Sequence, residues 1–225
     1  GRSAVGVPGF TAVGDGWRAA GWRDARSDGA DPWGGPGGAD GPDGPVGGGS
    51  WGAGGGLGLG GMERTLAALE TLERRLAILV AAGRNTVLET HVRRMADSSR
   101  HVIRVFAYTD EVPVLMRAAD LLITKPGGLT ISEAFAAGLP LLLHDPIPGP
   151  ETENAIYATR RGAAVWLHPG ERMAPAVEEI LAHRILEMRR AARRCAREEA
   201  AQDVAADLIA LMTRKRGMYG TEQNI

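Results

Sequence analysis

The chain has 225 residues, enough for one sizeable hydrophobic core plus an arm. A formal net charge of -1 supplies no broad basic field, so bulk nucleic-acid binding is not expected and any positive surface is local. The single cysteine, Cys195, excludes an internal disulfide and a cysteine-rich metal site, which agrees with a reducing, cytoplasmic setting. No apolar run approaches the roughly 18–20 residues of a membrane span and no signal-peptide order is read at the start, so the chain is expected to be soluble or to lie on a membrane surface.

Glycine divides the sequence: 23 of its 32 glycines fall in residues 1–61. Residues 1–53, with runs such as Asp31-Pro-Trp-Gly-Gly-Pro-Gly-Gly, have few aliphatic side chains to bury and much backbone entropy to lose, so they read as a disordered Gly/Pro-rich arm. Their composition also resembles translation of GC-rich DNA in a non-native frame. Residues 54–216 read as the folded domain and residues 217–225 as a disordered tail.

In chain order, Met62–Arg75 is predicted to be a helix with Leu66, Leu69 and Leu72 on one face, followed by a strand at Leu76–Ala82 buried on both faces. Helix and strand then alternate: helix 85–96, strand 101–106, helix 111–119, strand 121–124, helix 130–137, strand 140–144, helix 153–161, strand 163–167, and two or three helices from 173 to about 214. Five strands alternating with helices imply an α/β fold, a Rossmann-like doubly wound parallel sheet, because parallel neighbours need crossovers and those crossovers cover both faces. Ligands of such sheets bind at the carboxyl ends of the strands.

Four loops lie there. Gly54–Gly61 could bring backbone amides to an anion through Gly56 and Gly58, or could simply end the glycine-rich arm; no apolar strand precedes it. In Lys125-Pro-Gly-Gly-Leu-Thr-Ile-Ser-Glu133, Gly127 and Gly128 permit a tight turn, Leu129 and Thr130 begin a helix, and the amides together suit a diphosphate. Thr130-x-x-Glu133 also matches a capping box, the reading that spacing alone favours; the functional alternative gives Glu133 to a ribose diol and Lys125 to a phosphate. The proline-rich loop from His144 to Asn154 presents Glu151 and Asn154 to sugar hydroxyls, or serves as a rigid connector. Tyr108 and the Thr109 backbone, after the second strand, could line a base pocket, though an aromatic there is more often core.

Taken together, Phe106-Ala-Tyr-Thr-Asp-Glu111, Ala119–Glu133 and Pro148-Gly-Pro-Glu-Thr-Glu-Asn-Ala155 resemble, in order and spacing, the C-terminal domain of monogalactosyldiacylglycerol synthases and processive diacylglycerol glucosyltransferases. They are more distantly similar to the peptidoglycan N-acetylglucosaminyltransferase. The resemblance implies the C-terminal half of a GT-B type glycosyltransferase that binds a UDP-sugar, with a diacylglycerol-like lipid as acceptor. By matching positions, Tyr108 and Thr109 would face uracil, Gly127, Gly128, Leu129 and Thr130 the diphosphate, Glu133 the ribose, and Glu151 and Asn154 the sugar. It further implies no bound metal and no cofactor beyond the donor substrate, and a peripheral place on the inner face of the plasma membrane. Pro150 stands where relatives carry Gln, removing one amide contact to the sugar. The family's N-terminal domain supplies the acceptor surface and the general base, so this polypeptide alone is expected to be inactive or nearly so.

The arginine-rich segment 183–197 reads as a solvated helix face rather than a lipid-binding one, because Glu187, Glu198 and Glu199 interrupt it. Cys195 reads as a small packed residue. Two other classes remain open: a non-catalytic nucleotide-binding regulatory module, and an NAD-type dehydrogenase domain that lacks the expected acidic residue after its second strand.

Overall fold

The computed structural model describes residues 10–14 and 59–219. Its elements run β1 (Phe10–Gly14), α1 (Leu59–Leu69), β2 (Ala77–Gly83), α2 (Thr86–Ser98), β3 (Val102–Ala107), α3 (Val112–Ala118), β4 (Leu121–Thr124), α4 (Gly128–Ala136), β5 (Leu141–Leu143), α5 (Pro150–Arg160), β6 (Ala164–Trp166), α6 (Met173–Glu179), α7 (Ile185–Cys195) and α8 (Ala200–Tyr219). A π-helical turn, Ile180–Arg184, joins α6 to α7.

All five strands expected from the apolar runs form, and they form because those runs can be buried on both sides. Alternate residues of one strand enter different cores. Leu79, Leu122, Leu141 and Leu143 pack with Val112, Leu115, Met116, Phe135 and Ala158 from α3, α4 and α5. Ile78, Val80, Leu121, Ile123 and Leu142 pack on the other face with Leu66, Leu69, Leu88, Val92 and Val177 from α1, α2 and α6. In β4, Leu121, Leu122 and Ile123 are 0–1% exposed, and burial of such side chains contributes about 1.5–3 kcal/mol each.

The sheet order is β3-β2-β1-β4-β5-β6. β2 pairs parallel with β3, and β4 with β5 and β5 with β6, so those five strands end at one edge. β1 corrects the expectation for the arm: Phe10–Gly14, read as disordered, forms the strand between β2 and β4, antiparallel to both. The sheet is therefore mixed rather than wholly parallel. Glycine content was the wrong guide at this point, because Phe10-Thr-Ala-Val is a short β-prone run inside it.

Other boundaries moved. α1 ends at Leu69 instead of Arg75, and Leu72 is buried from the irregular stretch that follows. The stop is held by His101, which is fully buried: Nε2 donates to the Leu69 carbonyl (2.8 Å) while Nδ1 accepts from the Leu76 amide (3.2 Å). α7 is not simply solvated, since Met188, Ala191 and Ala192 are buried and Arg189 reaches Asp120 at 2.8 Å. Cys195 packs, partly buried, against the α3–α5 core. α8 continues past the expected boundary to Tyr219 and exposes Val204, Leu208, Ile209 and Met212.

A proline in β1 tests the central strand. Ala12 pairs with Leu79 on one side and Leu122 on the other. Ala12→Pro removes a ladder donor inside the sheet and orphans a partner carbonyl, so urea unfolding should show a loss of about 1–3 kcal/mol. No change would show that β1 does not contribute to the sheet.

Candidate functional site

The connections β2→β3 and β4→β5→β6 run in opposite directions from the middle of the sheet, which places the topological switch point beside the carboxyl end of β4. Lys125–Gly128 leaves β4 there and enters α4. Helix α4 begins at Gly128, two residues earlier than Thr130, with Gly127 as N-cap and no side-chain cap. The amides of Gly128, Leu129 and Thr130 consequently lack intrahelical acceptors. The entrance is open: Gly128 is exposed and Leu129 is 67% exposed.

The two glycines are not there for an unusual turn. Gly127 sits at φ -65°, ψ 135°, and neither it nor Gly128 is among the positive-φ glycines. A Cβ would find ordinary contact at both positions, 3.6 Å from Thr130 Oγ1 at Gly127 and 3.6 Å from Asn154 Nδ2 at Gly128. Folding tolerates side chains here, whereas anything approaching the free amides would meet them.

The capping box that spacing favoured does not form. With the helix starting earlier, Thr130 is buried in the first turn and Glu133 lies beyond it. Glu133 Oε2 is buried with no hydrogen-bond partner, and burial raises its pKa above the usual carboxylate value. Ser132 instead returns its hydroxyl to the Gly128 carbonyl at 2.9 Å.

The proline-rich loop comes against the same entrance. Asn154 Nδ2 donates to the Pro126 carbonyl (3.0 Å), tying α5 to the β4–α4 loop. Glu151 Oε2 accepts from the Ile147 amide (2.8 Å), bracing its own loop, and Pro150 occupies the first turn of α5 after Gly149 at φ 99°.

Tyr108 is 45% exposed beyond β3, with the Arg84 guanidinium 4.6 Å from its ring centroid. Thr109 Oγ1 accepts from the Glu111 amide at 3.1 Å, so its hydroxyl helps to start α3. Lys125 is half-buried and acts electrostatically on His144. Gly56 and Gly58 lie outside the described residues, while Gly60 and Gly61 belong to the first turn of α1.

Sequence reasoning missed Arg84, His144, Asp145 and Arg64. His144 follows β5, and its amide donates to the Thr124 carbonyl at 3.2 Å, next to Lys125. Its Nδ1 is 3.3 Å from Asp145 Oδ2, and Asp145 in turn meets Arg64 of α1 at 3.5 Å. The adjacent His-Asp pair at a strand end was the available signal. Burial pushes the His144 imidazole below its ordinary pKa; Asp145 opposes that shift, and Lys125 and Arg64 add to it. A separate groove between the end of α1 and the start of α6, lined by Thr71, Arg74, Arg172 and Glu178, shares no residue with these loops. Among the described residues, no group of three or more His, Cys, Asp or Glu side chains could hold a metal ion.

Known proteins are similar to this chain in sequence and in fold. The chain is similar to the processive diacylglycerol beta-glucosyltransferase of Bacillus cereus (strain AH187), 34% identical over 137 residues, which is 60% of this chain and 35% of that protein. The Bacillus mycoides (strain KBAB4) protein of the same name is 32% identical over the same length. The chain thus spans about a third of the length of the curated relatives it matches. Among solved structures it is similar to MurG of Acinetobacter baumannii, with a TM-score of 0.56 and 26% identity over 66% of this chain and 45% of that one. The fold of Anabaena Alr3699/HepE also matches, with a TM-score of 0.51 and 18% identity over 67% and 45% of the two chains. The observed α/β architecture is that of GT-B type glycosyltransferases. Residues 62–212 match the Glycosyltransferase family 28 C-terminal domain, and with that match, over an α-helix amino terminus opened by two glycines at the switch point, the chain belongs to this glycosyltransferase family.

Proposed function

We propose that the described residues form the donor half of a hexosyltransferase that binds a UDP-sugar and delivers the sugar, with inversion, to the hydroxyl of a membrane lipid such as diacylglycerol. The observation that carries this reading is the open start of α4. Three amides converge there and the helix adds partial positive charge, in front of two glycines whose backbone angles any residue could adopt. Such a feature is hard to explain by folding and easy to explain by a diphosphate that needs room.

The remaining roles follow from position. Glu133, with a buried oxygen lacking a partner, would accept the two ribose hydroxyls. Tyr108, backed by Arg84, would wall the uracil, with the Thr109 backbone at its edge. Lys125 would add positive charge beside the phosphates. In the transfer, the acceptor oxygen bonds to the anomeric carbon as the bond to the UDP oxygen breaks, and the amides stabilise the departing charge electrostatically, with no metal or cofactor invoked. No general base is assigned among the described residues, and the 225-residue chain by itself is expected to transfer little or no sugar.

Relatives supply the substrate classes: a processive diacylglycerol beta-glucosyltransferase in Bacillus, and UDP or UDP-glucose bound in the Anabaena structures. No described helix is long and apolar enough to cross a membrane; contact with lipid at the cytoplasmic face belongs to the proposal and rests on the lipid named for the relatives.

Calorimetric titration of the chain with UDP should give saturable binding, and NAD should give none. The double variant Gly127→Ala/Gly128→Ala should keep its melting temperature but lose about tenfold in UDP affinity, or about 1.4 kcal/mol, because the methyl groups stand over the amides. Unchanged affinity would remove the diphosphate from this helix.

Glu133 adds a pH signature. Its folded pKa lies above 4.5, so without ligand its desolvation weakens the fold above that raised value, and the penalty is relieved as pH falls towards 4.5. Ribose hydroxyls would favour the carboxylate and lower the pKa, so binding releases protons in that window and UDP affinity should fall on acidification. Glu133→Gln should flatten this profile, and an identical profile in the variant would argue against the ribose role.

A further inference from the structure

The residues first expected to take the sugar are partly committed elsewhere. Asn154 Nδ2 is bonded to the Pro126 carbonyl, and one oxygen of Glu151 is bonded to the Ile147 amide. Pro150 contributes no amide. The same loop begins with His144, whose side chain is 14% exposed and whose backbone is hydrogen-bonded to the last residue of β4, immediately before Lys125 and the open helix start.

His144 is held in a defined state. A carboxylate can only accept, so in the contact with Asp145 the proton lies on His144 Nδ1, which leaves Nε2 with a bare lone pair. Nε2 has no hydrogen-bond partner among the described residues. Asp145 is the only non-glycine residue at positive φ among the described residues, at 43°, a conformation that persists only when the surroundings hold it. Arg64 of α1 supplies one such restraint at 3.5 Å. Burial also disfavours the imidazolium, which preserves the lone pair near neutral pH.

We propose that His144 is a specificity-determining residue whose Nε2 accepts a hydrogen bond from a hydroxyl of the transferred sugar, with Asp145 and Arg64 positioning the ring and Glu151 and Asn154 bracing the loop. This rests on the donor-site reading above. A neutral imidazole acceptor distinguishes hydroxyl configurations by direction, because its one lone pair lies in the ring plane.

The test compares UDP, UDP-glucose and UDP-galactose binding by calorimetry with the full chain. In the unaltered protein one UDP-sugar should bind tighter than UDP, and His144→Phe should reduce that ratio about tenfold. His144→Gln, whose carbonyl can still accept, should retain part of it. Asp145→Gly removes the carboxylate while suiting the positive φ, and should lower the same ratio less than His144→Phe. Nitrogen-15 NMR of the histidines should show His144 protonated at Nδ1. Equal weakening of UDP and UDP-sugar, an unchanged ratio, or a proton on Nε2 would each overturn the assignment. If His144→Phe does not fold, the Gln and Gly variants and the tautomer decide. Absence of UDP binding by the unaltered chain would instead sink the donor-site reading itself.

Discussion

Parallel pairing of β2 with β3, and of β4 with β5 and β6, forces every connection to return across a face of the sheet, and so delivers five loops to one edge. That constraint depends on strands apolar on both sides, since Leu121, Leu122 and Ile123 of β4 must satisfy two different cores. Once it is met, the open end of α4, the proline-rich loop and the Tyr108 loop occupy the same rim without any contact needing to be selected separately. β1 completes the arrangement by pairing with both β2 and β4, which would otherwise present unpaired edges in the middle of the sheet.

At that rim, several groups are held at a cost to stability, as the proposed binding role would require. The helix end carries free amides where a capped end would be more stable, and a glycine pair where any residue would fit. Glu133 keeps a buried oxygen unsatisfied. Each feature costs folding free energy, and the proposed anionic, hydroxyl-bearing ligand would relieve each of them. The bond from Asn154 to the Pro126 carbonyl and that from Glu151 to the Ile147 amide do the opposite: they use polar groups of the loop to hold its shape. His144, by contrast, meets Asp145 through Nδ1 alone, which is the basis of the role proposed for its Nε2.

Membership of the glycosyltransferase family 28 C-terminal domain accounts for the shared architecture over residues 62–212. Pro150 supplies no amide to the loop, and the Arg64–Asp145–His144 chain links the first turns of α1 to the carboxyl end of β5. That link is exposed at Arg64 and Asp145, so it adds little to stability.

The alternation of short apolar runs with helical stretches was enough to locate all five parallel strands and the class of fold, because burial on both faces leaves an unbroken aliphatic signature such as Leu121-Leu-Ile-Thr. The Lys125–Glu133 string likewise announced a helix start at a strand end. The central antiparallel strand was invisible, since Phe10–Gly14 pairs with residues far along the chain and sits in a glycine-rich stretch. Whether Thr130 and Glu133 capped their helix depended on where the first turn began, a choice made by the β4–α4 geometry and by Asn154, not by spacing. His144 took on meaning only when folding set it beside Thr124, Asp145 and Arg64, because local sequence specifies periodicity and caps, whereas the grouping of distant polar side chains is a property of the packed sheet.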